Sequence, residues 1–227
     1  MAQVSARRPV RDLQLVIFDC DGVLVDSEVI SNEVLARALS AEGLLTTLPE
    51  ARRDFQGLLL EDIVARAEAK LGRELPNDWL ERYERDRDEA FHRELRPVPG
   101  AAGAVKRISA VGVTVCVASQ AKLEKTRLSL GLTGLRDLFH AQALFSSYSV
   151  PRGKPHPDVF LHAAAAMNAK PSRSVVVEDS VSGVTAAVSA GMRVFGYVAD
   201  SDEAALRRAG AEVVRSLDEL PLLLGLG

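Results

Sequence analysis

The apolar residues of this chain follow two different patterns. From residue 97 onward, short apolar runs rich in β-branched residues alternate with alanine-rich runs of helical period. Helices that follow short strands, apolar on both faces, are typical of a parallel sheet covered on both sides. This pattern predicts strands at 113–118, 143–145, 175–177, 194–197 and 213–214, and helices at 123–130, 159–167, 181–190, 203–209 and 217–224. The apolar run at 14–18 is predicted to be one more strand of that sheet.

Residues 27–96 show a different pattern, with long charged helical stretches and no convincing strand. Helices are predicted at 29–41, 60–71 and 79–94. Asp26 and Ser27 can cap the first of them, and the Pro-rich segment 96–100 makes a stiff exit. We therefore expect an α/β fold in which a Rossmann-like parallel sheet flanked by helices (residues 1–26 and 97–227) carries an inserted all-helical cap domain (residues 27–96). The two crossings lie close together, so the insert can act as a lid over the sheet edge.

Composition excludes several classes of function. The 227 residues are 47% hydrophobic, and no apolar stretch is long enough to span a bilayer. The net charge is −3, and the scattered Lys and Arg form no basic stripe for nucleic acid. Residues 1–12 contain three arginines but no signal-peptide type of apolar run behind them. We expect a cytoplasmic protein with a short irregular start and no nucleic-acid or membrane partner. It has no long exposed apolar seam, which favours a monomer.

Cysteine and histidine give no sign of a metal or redox centre. Cys20 and Cys116 lie in apolar, strand-like segments and lack metal-ligand or redox spacing. They are expected to be reduced, buried, small hydrophobic residues. The four histidines are too dispersed for a metal cluster and are interpreted as structural.

Charged and hydroxyl residues stand where the predicted strands end. In an open α/β sheet, ligands bind outside the carboxyl ends of the strands. The candidate residues, with Lys154 on a loop before a helix and the others directly after strands, are Asp19, Asp21, Ser119, Lys154, Glu178 and Asp179. Each alone has an ordinary explanation as a turn former, a helix cap or a solvated lysine. Their joint occurrence favours one site for a phosphate and its divalent cation.

Four segments resemble the motifs of the haloacid dehalogenase superfamily, in its β-phosphoglucomutase-like phosphatase branch with an inserted helical cap. They are Asp-Cys-Asp-Gly-Val-Leu-Val-Asp-Ser at 19–27, Val-Ala-Ser at 117–119, Gly-Lys-Pro-His-Pro-Asp at 153–158 and Val-Glu-Asp-Ser-Val-Ser-Gly at 177–183. The resemblance implies that Asp19 attacks phosphorus to form an aspartyl-phosphate, which water then hydrolyses. It assigns Asp21 the proton transfers to the leaving group and from the attacking water.

The resemblance also implies a ligand set. Mg²⁺ would be held by Asp19, Glu178, Asp179 and the main-chain carbonyl of Asp21. The phosphate would bind Ser119, Lys154 and Gly22, where the glycine also turns the backbone. The expected enzyme is an Mg²⁺-dependent phosphatase acting on a small phosphorylated metabolite, a sugar, polyol or sugar-acid phosphate.

Two alternatives remain open at the level of sequence. Mutases of this branch present a Lys-Gly-Val-Ser-Arg-type cap loop to a second phosphate, and the matching place here is Gln-Gly-Leu-Leu-Leu at 56–60. This departure favours hydrolysis over a β-phosphoglucomutase-type transfer, although Arg52, Arg53 and Arg66 could compensate. Gln56, Gly57 and Arg53 are the candidate residues for substrate discrimination.

The second alternative is a phosphoaccepting signalling module, since receiver domains also combine aspartates, a hydroxyl residue, a lysine and Mg²⁺. Those modules place the acidic pair and the phosphorylated aspartate on different strands, and they carry no inserted lid. The long helical insert at 27–96 therefore favours the enzyme.

Overall fold

The structure, a computed structural model, describes residues 12–198 and 201–226. The predicted irregular start lies outside the described residues except for Asp12. The strands are β1 (Leu15–Phe18), β2 (Thr114–Ser119), β3 (Leu144–Ser146), β4 (Ser174–Glu178), β5 (Arg193–Tyr197) and β6 (Glu212–Val214). The helices are α1 (Glu28–Ala41), α2 (Leu48–Phe55), α3 (Leu60–Leu71), α4 (Trp79–Glu94), α5 (Ala101–Ala110), α6 (Leu123–Leu132), α7 (Asp158–Ala166), α8 (Val181–Ser189), α9 (Glu203–Ala209) and α10 (Leu220–Leu223).

The six strands form one sheet in the order β3-β2-β1-β4-β5-β6, and all neighbouring pairs are parallel. The predicted parallel sheet is confirmed. Phe18, the last residue of β1, pairs with Val117 on one side and Val177 on the other. The chain order reverses between β1 and β4, which is the point where open α/β sheets bind their ligands. Residues that follow β1, β2 and β4 therefore meet at one edge.

Side chains of β1 alternate between two apolar layers, as the period of two in a strand requires. Val16 and Phe18 pack into the layer that includes residues of α5, α6 and α10, and Leu15 and Ile17 pack into the layer of α7, α8 and α9. All four side chains are fully buried. Burying each large side chain contributes about 1.5 to 3 kcal/mol, so β1 is a rigid support for the residues that follow it.

Helices α1 to α4 pack around a separate apolar cluster. Trp79 is buried there and stacks on Tyr83, with ring centroids 5.7 Å apart. The three predicted helices of the insert are confirmed within a residue at their ends. Helix α2 was not predicted, although Thr47 and Glu50 form the capping box that starts it. The division of the chain at 26/27 and 96/97 stays a prediction.

The two chain crossings between sheet and insert are joined side by side. Asp26 N–H donates to Arg96 O and Val98 N–H donates to Leu24 O, both at 2.9 Å. These backbone bonds tie the entering and leaving segments together, so the insert joins the sheet at one place.

Two predictions about helices need correction, whereas the prediction for the cysteines is confirmed. Helix α5 was also missed, and the predicted helix at 217–224 is split into a 3₁₀ turn, Leu217–Glu219, and the short α10, with Pro221 in its first turn. Cys20 and Cys116 are buried and free, as predicted. Within residues 12–198 and 201–226, no helix is long and apolar enough to cross a membrane.

Candidate active site

The ends of β1 and β4 and the loop before α7 bring three predicted residues into direct contact. Lys154 Nζ donates to Asp19 Oδ1 at 2.5 Å, to Glu178 Oε1 at 2.7 Å and to the main-chain oxygen of Ala118 at 3.1 Å. The other oxygen of Glu178 accepts from the N–H and the hydroxyl of Ser180, each at 2.9 Å. Glu178 is therefore engaged on both oxygens and fixes the position of Lys154.

Burial and neighbouring charges strongly perturb this group of residues. Burial is the largest influence on Asp19 and raises its pKa to about 8, helped by Glu178 and Asp21 and opposed by Lys154. Burial disfavours the charged form of Lys154, but the carboxylates of Asp19 and Glu178 outweigh it and raise the pKa of the ammonium. Lys154 therefore stays a cation, and it balances only part of the negative charge around it.

Asp179 carries the rest of that negative charge. Its pKa is raised well above its ordinary value by burial and by the nearby Glu178, Glu28 and Asp19. Gly22 leaves the room for it: a Cβ added at Gly22 would lie 2.2 Å from Asp179 Oδ2. Gly22 also has a φ of +74°, which favours glycine. The carboxylate thus occupies a space that any other residue at position 22 would fill.

These residues fit a hard divalent cation in their chemistry. Lys154 bonds one oxygen of Asp19, while the second oxygen and the Asp179 carboxylate take no hydrogen bond from the described residues. Clustered buried carboxylates with raised pKa values and oxygen-only ligands are what Mg²⁺ and Ca²⁺ prefer. Among the described residues, however, no three acidic, histidine or cysteine side chains form a ready ligand group. The ammonium of Lys154 lies between Asp19 and Glu178, so the metal-holding roles stay a prediction.

Asp21 lies in the opposite electrostatic environment. Its Oδ1 accepts hydrogen bonds from Lys125 Nζ and from the Ser27 hydroxyl. Burial raises the pKa of Asp21, but Lys125, Ser27 and Arg87 together outweigh burial and lower it. The expected capping role of Ser27 is wrong, because its side chain makes no capping bond and turns to Asp21 instead.

Lys125 is a residue beside Asp21 that the sequence analysis missed. It lies on α6, it is buried, and its ammonium is 5.4 Å from the centre of the Phe91 ring of α4. On a charged helix a lysine is ordinarily a solvated residue. Only the fold brings it to Asp21, which is 104 positions earlier in the chain.

Ser119 is placed at the end of β2, as predicted, but it is completely buried. Its hydroxyl oxygen accepts from Ala121 N–H at 3.0 Å, and it does not line the cavity described below. Its role in phosphate binding remains a prediction.

A cavity of about 140 Å³ opens between the sheet edge and helices α1 to α4. Asp19, Asp21, Lys154 and Asp179 lie on its floor, and Gln56 and Gly57 lie on its cap side. The two loop residues are therefore placed where substrate discrimination was expected. Arg53 is not: its side chain is 66% exposed, pairs with Asp54 and does not line the cavity.

Comparison with known proteins gives a consistent result. Residues 13–191 match the model of a family described as haloacid dehalogenase-like hydrolase. The chain is 32% identical to the 6-phosphogluconate phosphatase of Escherichia coli K12, over 93% of this chain and 94% of that protein. It is 32% identical to hexitol phosphatase B of the same organism, over 81% and 82% respectively. A solved structure of a putative β-phosphoglucomutase from Thermotoga maritima, 27% identical, superimposes with a TM-score of 0.75 over 93% of this chain and 98% of that one.

Proposed function

Because the chain belongs to the haloacid dehalogenase-like hydrolases and is a phosphatase, we propose that it hydrolyses small phosphorylated metabolites through an aspartyl-phosphate on Asp19, with Mg²⁺ as cofactor. The observation that carries this proposal is the position of Asp19. It follows the central strand, it is bonded to the Lys154 ammonium at 2.5 Å, and it lies on the floor of the cavity.

The first half of the reaction transfers the phosphoryl group to the protein. One oxygen of Asp19 forms a bond to phosphorus while the ester bond between phosphorus and the leaving oxygen breaks. Lys154 donates to the phosphoryl oxygens as well as to Asp19, which reduces the repulsion between two anions. The leaving alkoxide takes a proton from Asp21.

The second half returns the protein to its starting state. A water oxygen forms a bond to phosphorus, the bond from Asp19 to phosphorus breaks, and Asp21 accepts the proton of the water. Lys125 and Ser27 hold Asp21 as a carboxylate, which is the form that this step needs. In the first half, an adjacent phosphate dianion favours the protonated form of Asp21, since like charges raise the pKa of a carboxyl group.

A divalent cation would be held by the carboxylates of Asp19, Asp179 and Glu178 and by the main-chain carbonyl of Asp21. When bound, Mg²⁺ neutralises charge on the phosphoryl oxygens. Asp179 supports this assignment, because it is a carboxylate whose pKa is raised first by burial and then by the neighbouring acids Glu178, Glu28 and Asp19.

The test is Asp19→Asn, with Asp137→Asn on the exposed surface as its control. We expect Asp19→Asn to abolish Mg²⁺-dependent phosphate release from para-nitrophenyl phosphate and to prevent acyl-phosphate labelling, while Asp137→Asn keeps both. Steady turnover by the wild type also rules out a signalling module, which would stop after one phosphorylation. Full turnover by purified Asp19→Asn would reject the mechanism, and turnover that survives EDTA would reject the cofactor.

A mutase reaction is the second candidate, supported by the similarity to the putative β-phosphoglucomutase. The cap loop argues against it, because Gln56 and Leu60 stand where a mutase of this branch has a lysine and an arginine for the second phosphate. Phosphorus NMR of a sugar 1-phosphate separates the two, since a hydrolase yields inorganic phosphate and a mutase yields the 6-phosphate.

A further inference from the structure

Each basic side chain on the upper wall of the cavity is already paired with an acid. Lys122 Nζ bonds both oxygens of Glu84, at 3.0 and 3.1 Å. Arg87 bonds Asp88 Oδ1 through Nε at 3.0 Å and through Nη2 at 2.8 Å. Lys125 is bonded to Asp21. The positive charges above the reacting groups are therefore neutralised within the protein.

The rest of that wall is mainly apolar, with three uncharged polar side chains, those of Ser31, Asn32 and Gln56, and one further acid. Its apolar side chains are those of Leu35, Phe55, Leu58, Leu60 and Ile63. Glu28 adds a carboxylate, which accepts from Asn32 Nδ2 at 3.2 Å. The wall thus presents paired charges, one further acid, uncharged polar groups and hydrocarbon to the part of a substrate that lies beyond its phosphate.

We propose that the leaving group of the substrate is an uncharged polyol or sugar, and that the paired charges of the upper wall select against a leaving group with a carboxylate or a second phosphate. This inference rests on the proposed function and narrows its substrate class. Lys122 with Glu84, and Arg87 with Asp88, are its specificity-determining pairs.

The physical reason is the energy of an unpartnered ion. An anion in this cavity must either break one of the pairs, leaving Asp88 without its cation or Glu84 with only Arg87 at 4.0 Å, or remain near the acids Glu28 and Glu84. Both are unfavourable, because like charges brought together and buried ions without partners are costly. A hydroxyl group avoids this cost, since it can donate to a paired carboxylate and accept from a paired ammonium. The C–H faces of a sugar suit the apolar side chains.

The test compares two esters that differ at one carbon. Glucitol 6-phosphate and 6-phosphogluconate share a six-carbon chain and the position of the phosphate, but carbon 1 is an alcohol in the first and a carboxylate in the second. With wild-type protein and Mg²⁺, we expect kcat/KM to be at least about tenfold higher for the alcohol, a ratio that unfavourable placement of one charge readily produces. Equal values, or a preference for the acid, would overturn the inference.

Glu84→Gln sharpens the test, because the amide keeps the shape of the side chain and releases Lys122 from its ion pair. We expect this variant to raise the acid-to-alcohol ratio of kcat/KM by about threefold or more, as an exposed to half-buried charge pair would. Asp86→Asn is the matched control, since Asp86 lies on the same helix but pairs with Arg85 on the outer surface. Its ratio should equal that of the wild type.

The outcomes separate this inference from the proposed function. Phosphate release that depends on Asp19 but favours the acid, or a ratio that Glu84→Gln leaves unchanged, overturns the substrate class and leaves the phosphatase intact. A wild-type protein that releases phosphate from neither these esters nor para-nitrophenyl phosphate would overturn the proposed function and the inference with it.

Discussion

The floor and the upper wall of the cavity solve the problem of buried charge in opposite ways. On the floor, Asp19, Glu178 and Asp179 share the single ammonium of Lys154, so that negative charge is left over. On the upper wall, the basic side chains each have an acidic partner. The acids of the floor thus outnumber its one ammonium, whereas the basic groups of the wall are each neutralised before a substrate arrives. The first arrangement suits a reaction, and the second suits selection among leaving groups.

Removing Lys154 should have the largest effect. In Lys154→Met we expect kcat for phosphate release to fall by about 10³, because the loss of one charged donor at a developing anion typically costs 10² to 10³. Lys122→Met removes a lysine of the upper wall and should change kcat by less than about tenfold, since that ammonium is already neutralised by Glu84. Initial rates at saturating substrate and Mg²⁺ measure both. Similar losses in the two variants would remove the distinction between floor and wall.

Two glycines allow the same comparison without a change of charge. Gly22 and Gly57 have φ values of +74° and +77°, so alanine brings similar backbone strain at each, roughly 1 to 3 kcal/mol. Only Gly22 has a neighbour in the way, Asp179, while a Cβ at Gly57 meets nothing within 4 Å. We expect Gly22→Ala to lower kcat by about a hundredfold, the loss that a misplacement near 1 Å can cause.

Gly57→Ala serves as the control for strain. It should unfold at a similar urea concentration to Gly22→Ala but keep most of its turnover. Equal activity in the two variants would mean that Asp179 does not need the space at Gly22.

The carboxyl group of Asp19 should also make the metal-free protein less stable than a variant with asparagine at this position. The pKa of Asp19 is raised from 3.8 to about 8, so the folded state binds its proton more tightly than the unfolded chain does. The contribution of Asp19 to the stability of the metal-free protein therefore falls as the pH rises from about 4 towards 8. Asparagine carries no such charge. In EDTA, Asp19→Asn should unfold several degrees above the wild type at pH 8, with a smaller difference at pH 5.

Asp54 of the cap gives the opposite sign. Hydrogen bonds from Arg53 and Lys70 lower its pKa to about 2, so its contribution is present above pH 4 and is lost only as the pH falls through about 2. Asp54→Asn should consequently give no gain in Tm at pH 8. A Tm difference for Asp19→Asn that stays constant between pH 5 and pH 8 would contradict the raised pKa.

The contrast between the floor and the upper wall also explains which residues of the site could be predicted from the sequence. Apart from Lys154, the floor is made of residues that directly follow strands, and the apolar runs of the sequence show where each strand ends. Asp19, Lys154 and Glu178 were therefore identified from apolar runs and motifs before their contacts were known. Pattern is sufficient here because the sheet brings all strand ends to one edge.

The upper wall could not be predicted in this way. Lys125 and Arg87 lie on helices whose charged pattern indicates solvent, and their burial depends on how α4 and α6 pack against each other. Ser27 was expected to cap α1 because hydroxyl residues commonly do so, and its contact with Asp21 is a tertiary interaction. Helix α2 is different, since its capping box is visible in the sequence and would have located it.

The smallest effect should come from the hydroxyl of Tyr148, which ties the end of the cap loop at 56–60 to the core. Tyr148, which follows β3, accepts from Leu60 N–H at 2.8 Å and donates to Glu61 Oε2 at 3.0 Å, at the start of α3. Tyr148→Phe leaves the ring but removes both bonds. The neutral bond from Leu60 contributes about 1 kcal/mol and the exposed bond to the Glu61 carboxylate adds little, so KM for a hydrolysed sugar or polyol phosphate should rise about fivefold while kcat changes little. Thr185→Val, which removes a hydroxyl bonded only within α8, should leave KM unchanged. If Tyr148→Phe lowers kcat instead, the loop acts on the floor, and the separation between reaction and selection is less complete than the charges indicate.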